Sequence, residues 1–137
     1  MIAHLNGVKA VLAPLGYRTE LFAVVEVKGQ YLILEAPAWG DGVEDSVCGV
    51  GDDLDVDIRV KAVAGTAEGS AIMLRRVRGL LSPDRSWTTV AVAGRAAHIR
   101  FVRSEFVGVD RSVTATDTNR HPGVAVDTYR LVSQPTA

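Results

Sequence analysis

From Leu54 to Pro83 the chain reads LDVDIRVKAVAGTAEGSAIMLRRVRGLLSP, and the period of its apolar residues changes once along the way. Leu54, Val56, Ile58, Val60 and Ala62 alternate with Asp55, Asp57, Arg59 and Lys61, which predicts a strand with one face on a core and one in water. Gly65 breaks the alternation. Thr66 can accept from the free N–H groups of a following helix, whose dipole favours a negative charge such as Glu68 in its first turn. At 100° per residue Ser70, Met73, Leu74, Val77, Leu80 and Leu81 then share one side, with Arg75, Arg76 and Gly79 on the other, until Ser82-Pro83 stops the helix. The stretch therefore specifies a strand, a tight turn and an amphipathic helix lying back on a sheet. It is a scaffold and carries no catalytic group.

Flanking segments extend this pattern. Ile2, Leu5, Val8 and Leu12 fall on one helical face, and Pro14 and Gly16 end that helix. Leu21 to Val27 and Tyr31 to Leu34 read as two strands around a Lys28-Gly29-Gln30 turn, a hairpin. Trp87 to Ala93 and Ala97 to Phe106 make a second hairpin around Gly94-Arg95, with Ile99 and Phe101 opposed to His98, Arg100 and Arg103. Val124 to Val132 is a last strand. Two long irregular segments remain, a loop from Ala38 to Asp53 and an exposed arm through Asp110 to Gly123. The expected fold class is α+β, a mixed, mostly antiparallel sheet with two helices packed on one face, plus long loops and arms. No linker divides it, so one domain over residues 1–137 is expected.

Composition bounds the function. A chain of 137 residues can bury a core without staples. Its hydrophobic fraction of 47% is on the apolar side, which suits a surface covered by a partner. No apolar run approaches the roughly 20 residues that span a bilayer. The N-terminus, MIAHLNGVK, has no basic region followed by a continuous apolar stretch, so no signal peptide is expected and maturation in a cytoplasm is. Cys48 is the only cysteine, which excludes an intrachain disulfide. The net charge of −1 conceals an asymmetry: eight acids and no Lys or Arg between Gly29 and Ile58, then twelve Lys or Arg against six acids from Arg59 to Arg130. Either these charges intermix in space, or opposite faces carry opposite fields and favour head-to-tail association into a ring.

No catalytic or cofactor constellation emerges. Asp53-x-Asp55-x-Asp57 resembles the opening of a calcium loop, but the sixth and twelfth places hold Ile58 and Ala64 where glycine and glutamate are needed. Alternation already accounts for the three acids. Gly49-Val-Gly51 lacks both a third glycine and a following helix, so it makes no phosphate cradle. His4, His98 and His121 are not paired at metal-ligand spacing, and no Gly-x-Ser-x-Gly elbow occurs. The reading is non-enzymatic, without metal or cofactor. Arg75, Arg76 and Arg78 could touch nucleic acid through phosphates, but a DNA-binding domain is usually basic overall and this chain is not, so a solvated helix face is the preferred reading. Ile72 falls among Glu68, Arg75 and Gly79 on the outer side of the helix, where it is either an ordinary exposed residue or an anchor for a neighbouring subunit.

Several of these features together resemble the tail terminator proteins of long-tailed (siphovirus-type) bacteriophages. They are the short helix with Leu5, Val8 and Leu12, the run Tyr31-Leu-Ile-Leu34 leading to Trp-Gly-Asp at Trp39, and Asp57 to Thr66 before a helix ending at Pro83. Val92-Ala-Gly-Arg95 and Val126-Asp127-Thr-Tyr129-Arg-Leu131 complete the resemblance. It implies a structural virion protein, a homohexameric ring assembled in the host cytoplasm, that caps the tail tube, stops its elongation and joins tail to head. The implied partners are other copies of the chain, the tail tube protein and the connector or stopper, with genomic DNA passing through the lumen without sequence-specific binding and no membrane involved. In such a ring the loop at Trp39 to Asp52 or the arm would face the tube, the connector or the lumen. The candidate interface residues are Trp39, Asp41, Glu44, Asp45, Ile72, Arg75, Arg76, Arg111, Arg120 and His121. A head-side neck component, from another class a small ligand-binding domain or enzyme, and third a standalone nucleic-acid binder, which would need a steep salt dependence of DNA retention, are the rival readings.

Overall fold

A computed structural model describes residues 2–23, 26–36 and 53–136. The element order is α1 (Ile2–Leu12), a 3-10 turn (Ala13–Leu15), β1 (Arg18–Leu21), β2 (Tyr31–Glu35), β3 (Leu54–Ala64) and α2 (Ala67–Leu81). A second 3-10 turn (Pro83–Arg85) leads to β4 (Thr88–Val92), β5 (Arg95–Val109) and β6 (Gly123–Pro135). The fold is α+β: two helices and a six-stranded, mostly antiparallel sheet curled into a half-barrel, with strand order β1-β2-β3-β6-β5-β4. Trp39, Asp41, Glu44, Asp45 and Cys48, with the rest of 37–52, lie outside the described residues.

The stretch that opens the argument folds as its periods dictate. In β3 the alternating Leu54, Ile58, Val60 and Ala62 are buried against the helices, and Asp55 and Asp57 are exposed. Thr66 caps α2, its Oγ1 accepting from the Gly69 N–H at 3.0 Å. Ser70, Met73, Leu74, Val77 and Leu81 are buried, as the helical period requires. They meet Leu5, Val8 and Leu12 of α1 and the inward residues of five strands, Leu32, Ile58, Val90, Ile99 and Leu131 among them, in one continuous core. Each such Leu or Ile contributes roughly 1.5–3 kcal/mol by leaving water. Ile2 departs from the expected α1 face and stands 54% exposed in the first turn.

Two glycines set the packing distances. A Cβ on Gly7 would lie 2.6 Å from Val90 Cγ1 and 2.7 Å from the Ala91 carbonyl, so α1 sits directly on β4. A Cβ on Gly123 would lie 2.0 Å from the Thr66 carbonyl carbon, so the start of β6 is pressed onto the turn that launches α2.

Two expectations are corrected. The first strands do not form a hairpin: β1 is Arg18–Leu21, and it pairs with β2 in parallel, Arg18 opposite Tyr31 and Leu21 opposite Leu34. The chain reverses at Phe22, whose φ of 67° is left-handed and whose N–H donates to the Leu34 carbonyl, and then runs back beside the sheet. Arg18 holds that return segment, donating from Nη2 to the Glu26 and Lys28 carbonyls at 2.6 and 3.2 Å, and stacks over the Tyr31 ring at 4.7 Å. The second correction concerns how the arm is carried. It is exposed over most of its length, as expected, but it is tied down, the Thr116 N–H donating to the Val27 carbonyl at 2.8 Å and the Gly29 N–H to Asp117 Oδ2 at 3.2 Å. Ala115 is buried there, and a second small apolar cluster of Tyr31, Ile33, Val63 and Val124, with Val27 against it, lies on the face away from the helices.

Candidate functional site

Strand β5 is longer than its outer partner. β4 pairs only with Arg95 to Ile99, whereas β6 pairs along β5 as far as Val109, so from Arg100 onward one edge of β5 has no strand beside it among the described residues. Register shifts between Phe101 and Arg103 and between Ser104 and Phe106 twist that half of the strand. Its side chains are open to solvent and largely apolar, Val102, Phe106, Val107 and Val109 being 38–54% exposed. Unpaired N–H and C=O groups beside exposed apolar side chains form a template for another strand.

A polar cluster anchors the root of this edge. Asp127, wholly buried on central strand β6, accepts from Arg78 Nη2 at 2.8 Å and from Ser104 Oγ at 2.7 Å. Arg78 also donates to Ser104 Oγ at 3.1 Å and lies 4.1 Å from the Phe101 ring centroid, with Arg85 over the same ring at 5.2 Å. Phe101 stands edge-on to Tyr129, centroids 5.7 Å apart. Burial, with Asp127 nearby, pushes the Tyr129 phenol well above its ordinary range, so it stays neutral.

On the opposite face, an open hollow of about 440 Å³ is lined by Glu35, Arg59, Lys61, Phe106, Arg111 and Val126 among others. Glu105 on its rim bridges Arg59 at 3.2 Å and Arg103 at 3.0 Å. Asp110 begins the arm with an Asx turn, its Oδ1 accepting from the Ser112 N–H at 3.0 Å and from Ser112 Oγ. These bonds hold its carboxyl below the usual range. Hydrogen-bonded carboxylates of this kind are fixed acceptors, not proton carriers.

A serine and a histidine do converge, but inside the core. His4 Nε2 lies 2.9 Å from Ser133 Oγ, both residues are buried, and Arg95 Nε donates to the same Oγ at 2.6 Å. Burial lowers the His4 pKa to about 4, with the N-terminal ammonium and Arg95 acting in the same direction. Both side chains are cut off from solvent and the Ser133 hydroxyl already meets the Arg95 guanidinium, so this pair ties α1 to the sheet. Asp55, from the Asp-x-Asp-x-Asp run, is held by Arg130, whose Nε and Nη2 donate to its two oxygens at 2.9 and 2.6 Å. No group of three or more metal-ligating side chains occurs among the described residues.

Of the residues singled out from sequence, those that the structure describes lie on two surfaces. Ile72, 40% exposed, and Arg75 share the outer face of α2, but Arg76 turns aside and donates from Nη1 to Tyr17 Oη at 2.9 Å. Arg111, Arg120 and His121 lie in the arm across the sheet, exposed, with the His121 Nδ1–H donating to the Val113 carbonyl at 2.8 Å. Sequence reasoning passed over Arg85, Asp127 and the β5 edge. Two signals pointed to them: an acid at an inward position of the apolar run Val124 to Tyr129, and the unalternating Phe106-Val107-Gly-Val109 at the end of β5. No protein-family model matches this chain, and no curated protein matches it.

Proposed function

We propose that this chain is a structural subunit that works by docking against copies of itself, and that the ring so formed closes the end of a bacteriophage tail tube and joins tail to head. The observation that carries the self-association is the edge of β5, which from Arg100 to Val109 has no strand beside it among the described residues and exposes Val102, Phe106, Val107 and Val109. The assignment to a tail rests on the resemblance in sequence to tail terminators. A sheet that ends in this edge on one side and in β1 on the other presents two different surfaces, and contact between unlike surfaces propagates head to tail until the rotation closes a ring. The subunit is an assembly component without catalytic activity. It meets the tail tube protein on one side of the ring and the connector or stopper on the other, in the virion, after assembly in the host cytoplasm.

The test is sedimentation of the purified chain at micromolar concentration, alone and with tail tubes. A closed oligomer, or one that assembles on tubes and stops their growth, is expected. The Val102→Lys/Phe106→Lys double variant is expected to sediment as a folded monomer. A strictly monomeric wild-type chain that neither binds tubes nor limits their length overturns the reading. Binding to DNA-filled heads in place of free tails assigns it to the head side of the neck.

A further inference from the structure

We propose that the cleft at the C-terminal end of α2 is a binding site for the phosphate groups of a nucleic-acid backbone, read without regard to sequence. Arg75 and Arg78 stand one turn apart on the helix, and Arg85 reaches the same place from the turn beyond. With Gly79, Pro83 and Asp84 they line an open hollow of about 230 Å³. Arg78 and Arg85 both lie on the Phe101 ring, at 4.1 and 5.2 Å, although two like charges repel there. The carboxylate that offsets them within the core, Asp127, already has its oxygens on Arg78 and Ser104. Among the described residues, three guanidiniums against Asp127 and Asp84 leave a surplus positive charge facing solvent.

Two further observations point to an occupant. Gly79 lies within the last turns of a helix, where glycine is the least favourable residue apart from proline. Its φ is not positive, and a Cβ there would meet nothing within 4 Å, so the fold itself has no use for the missing side chain. What the glycine provides is room at the floor of the cleft. The turn that carries Arg85 is also strained: Asp84 and Arg85 are successive non-glycine residues with φ of 52° and 59°. Hydrogen bonds from the Arg85 N–H to Ser82 and from the Ser86 N–H to Pro83, at 3.0 and 2.9 Å, hold it in place. A strained turn fixed in this way keeps a guanidinium over the cleft.

The surroundings favour a polyanion over a single carboxylate. Of the seven arginines between Gly69 and Ser104, Arg75, Arg78 and Arg85 line the cleft, and the one acid of that stretch, Asp84, lies beside them. Guanidinium forks match phosphate oxygens, and several along a strip engage phosphates that recur at short, regular spacing. An acidic protein segment offers no such regular spacing. The site does not require the chain to form a ring.

The experiment is fluorescence anisotropy of a labelled 20-base-pair duplex titrated with the full-length chain from 50 to 200 mM salt, in two unrelated sequences. Both duplexes should bind alike, with affinity falling steeply with salt, and millimolar inorganic phosphate should compete. Arg75→Gln/Arg85→Gln should weaken binding at least tenfold and make the salt slope shallower by about 2. Gly79→Glu, which places a carboxylate where the Cβ has open space, should do the same while circular dichroism stays unchanged and the melting temperature does not fall. Lys9→Gln/Lys28→Gln, on other surfaces, should bind as the wild type does. The proposal is overturned if the Arg75/Arg85 variant binds as the wild type does. It is also overturned if no duplex is retained at 50 mM salt, or if a Glu-rich peptide binds more tightly than the duplex.

Discussion

Arg78 and Asp127 meet twice across the boundary between helix and sheet, Nε at 3.3 Å and Nη2 at 2.8 Å from the same carboxylate oxygen. The acid is fully buried and the base is one-third exposed, so the pair is desolvated mainly at one end. Removing the cation alone leaves a buried charge with only the Ser104 hydroxyl for company. Arg78→Met should therefore cost about 3–5 kcal/mol. Arg78→Met/Asp127→Leu should recover most of that loss. Urea unfolding of the two variants and the wild type measures both; a double variant no more stable than Arg78→Met would refute the uncompensated-charge account.

His4 should give the fold a pH dependence of its own. Its pKa is lowered to about 4 in the folded chain against 6.5 for an ordinary histidine, so the unfolded chain binds the proton more tightly. The stabilisation is complete above about pH 6.5 and is lost progressively as pH falls from there through 4. A shift of that size amounts to roughly 3 kcal/mol at its limit. His4→Gln keeps a polar group near Ser133 but cannot titrate. Its melting temperature should be lower at pH 7 and much less dependent on pH between 6.5 and 4 than that of the wild type.

Two glycines should respond to alanine in opposite directions. At Gly123 the added carbon would fall 2.0 Å from the backbone of Thr66, which cannot retreat without uncapping α2. Gly123→Ala should cost several kcal/mol, in the range of severe overpacking. Gly79→Ala meets open space and should gain about 1 kcal/mol from helix propensity. Thermal denaturation of the two variants decides both.

The arm should prove protected where sequence suggested exposure. The amides of Ala115 and Thr116 donate to Arg120 and Val27 carbonyls at 2.9 and 2.8 Å, and Ala115 is buried. Hydrogen exchange at these two amides should be slowed well beyond that of neighbouring arm residues. Ala115→Asp should abolish the protection and open residues 110–122 to protease while the helices stay folded.

What the sequence made legible is what one period governs. β3 and α2 follow directly from alternation and from 100° spacing, Thr66 caps where its position requires, and Gly94, with φ of 73°, turns the β4–β5 hairpin. The β1–β2 pairing was not legible, because Lys28-Gly29-Gln30 looks like a hairpin turn and the true reversal, at Phe22, uses a bulky residue in a left-handed conformation. The arm misled for a related reason. Its residues are polar turn formers, and the contacts that fold it down reach residues about ninety positions earlier, beyond any local pattern. The candidate sites depend on distance in the same way: Arg78 and Arg85 are ordinary exposed arginines until Phe101 and Asp127 come beneath them.

The place of β6 has a consequence for synthesis. The segment from Gly123 to Pro135 lies between β3 and β5, so the β1-β2-β3 and β5-β4 halves meet, strand to strand, only through it. Until it has left the ribosome, the nascent polypeptide holds two separate sheet fragments, each with an unpaired border where that strand will lie. Cooperative closure must wait for contacts as remote as Leu54 with Ser133, which delays folding until the central strand arrives.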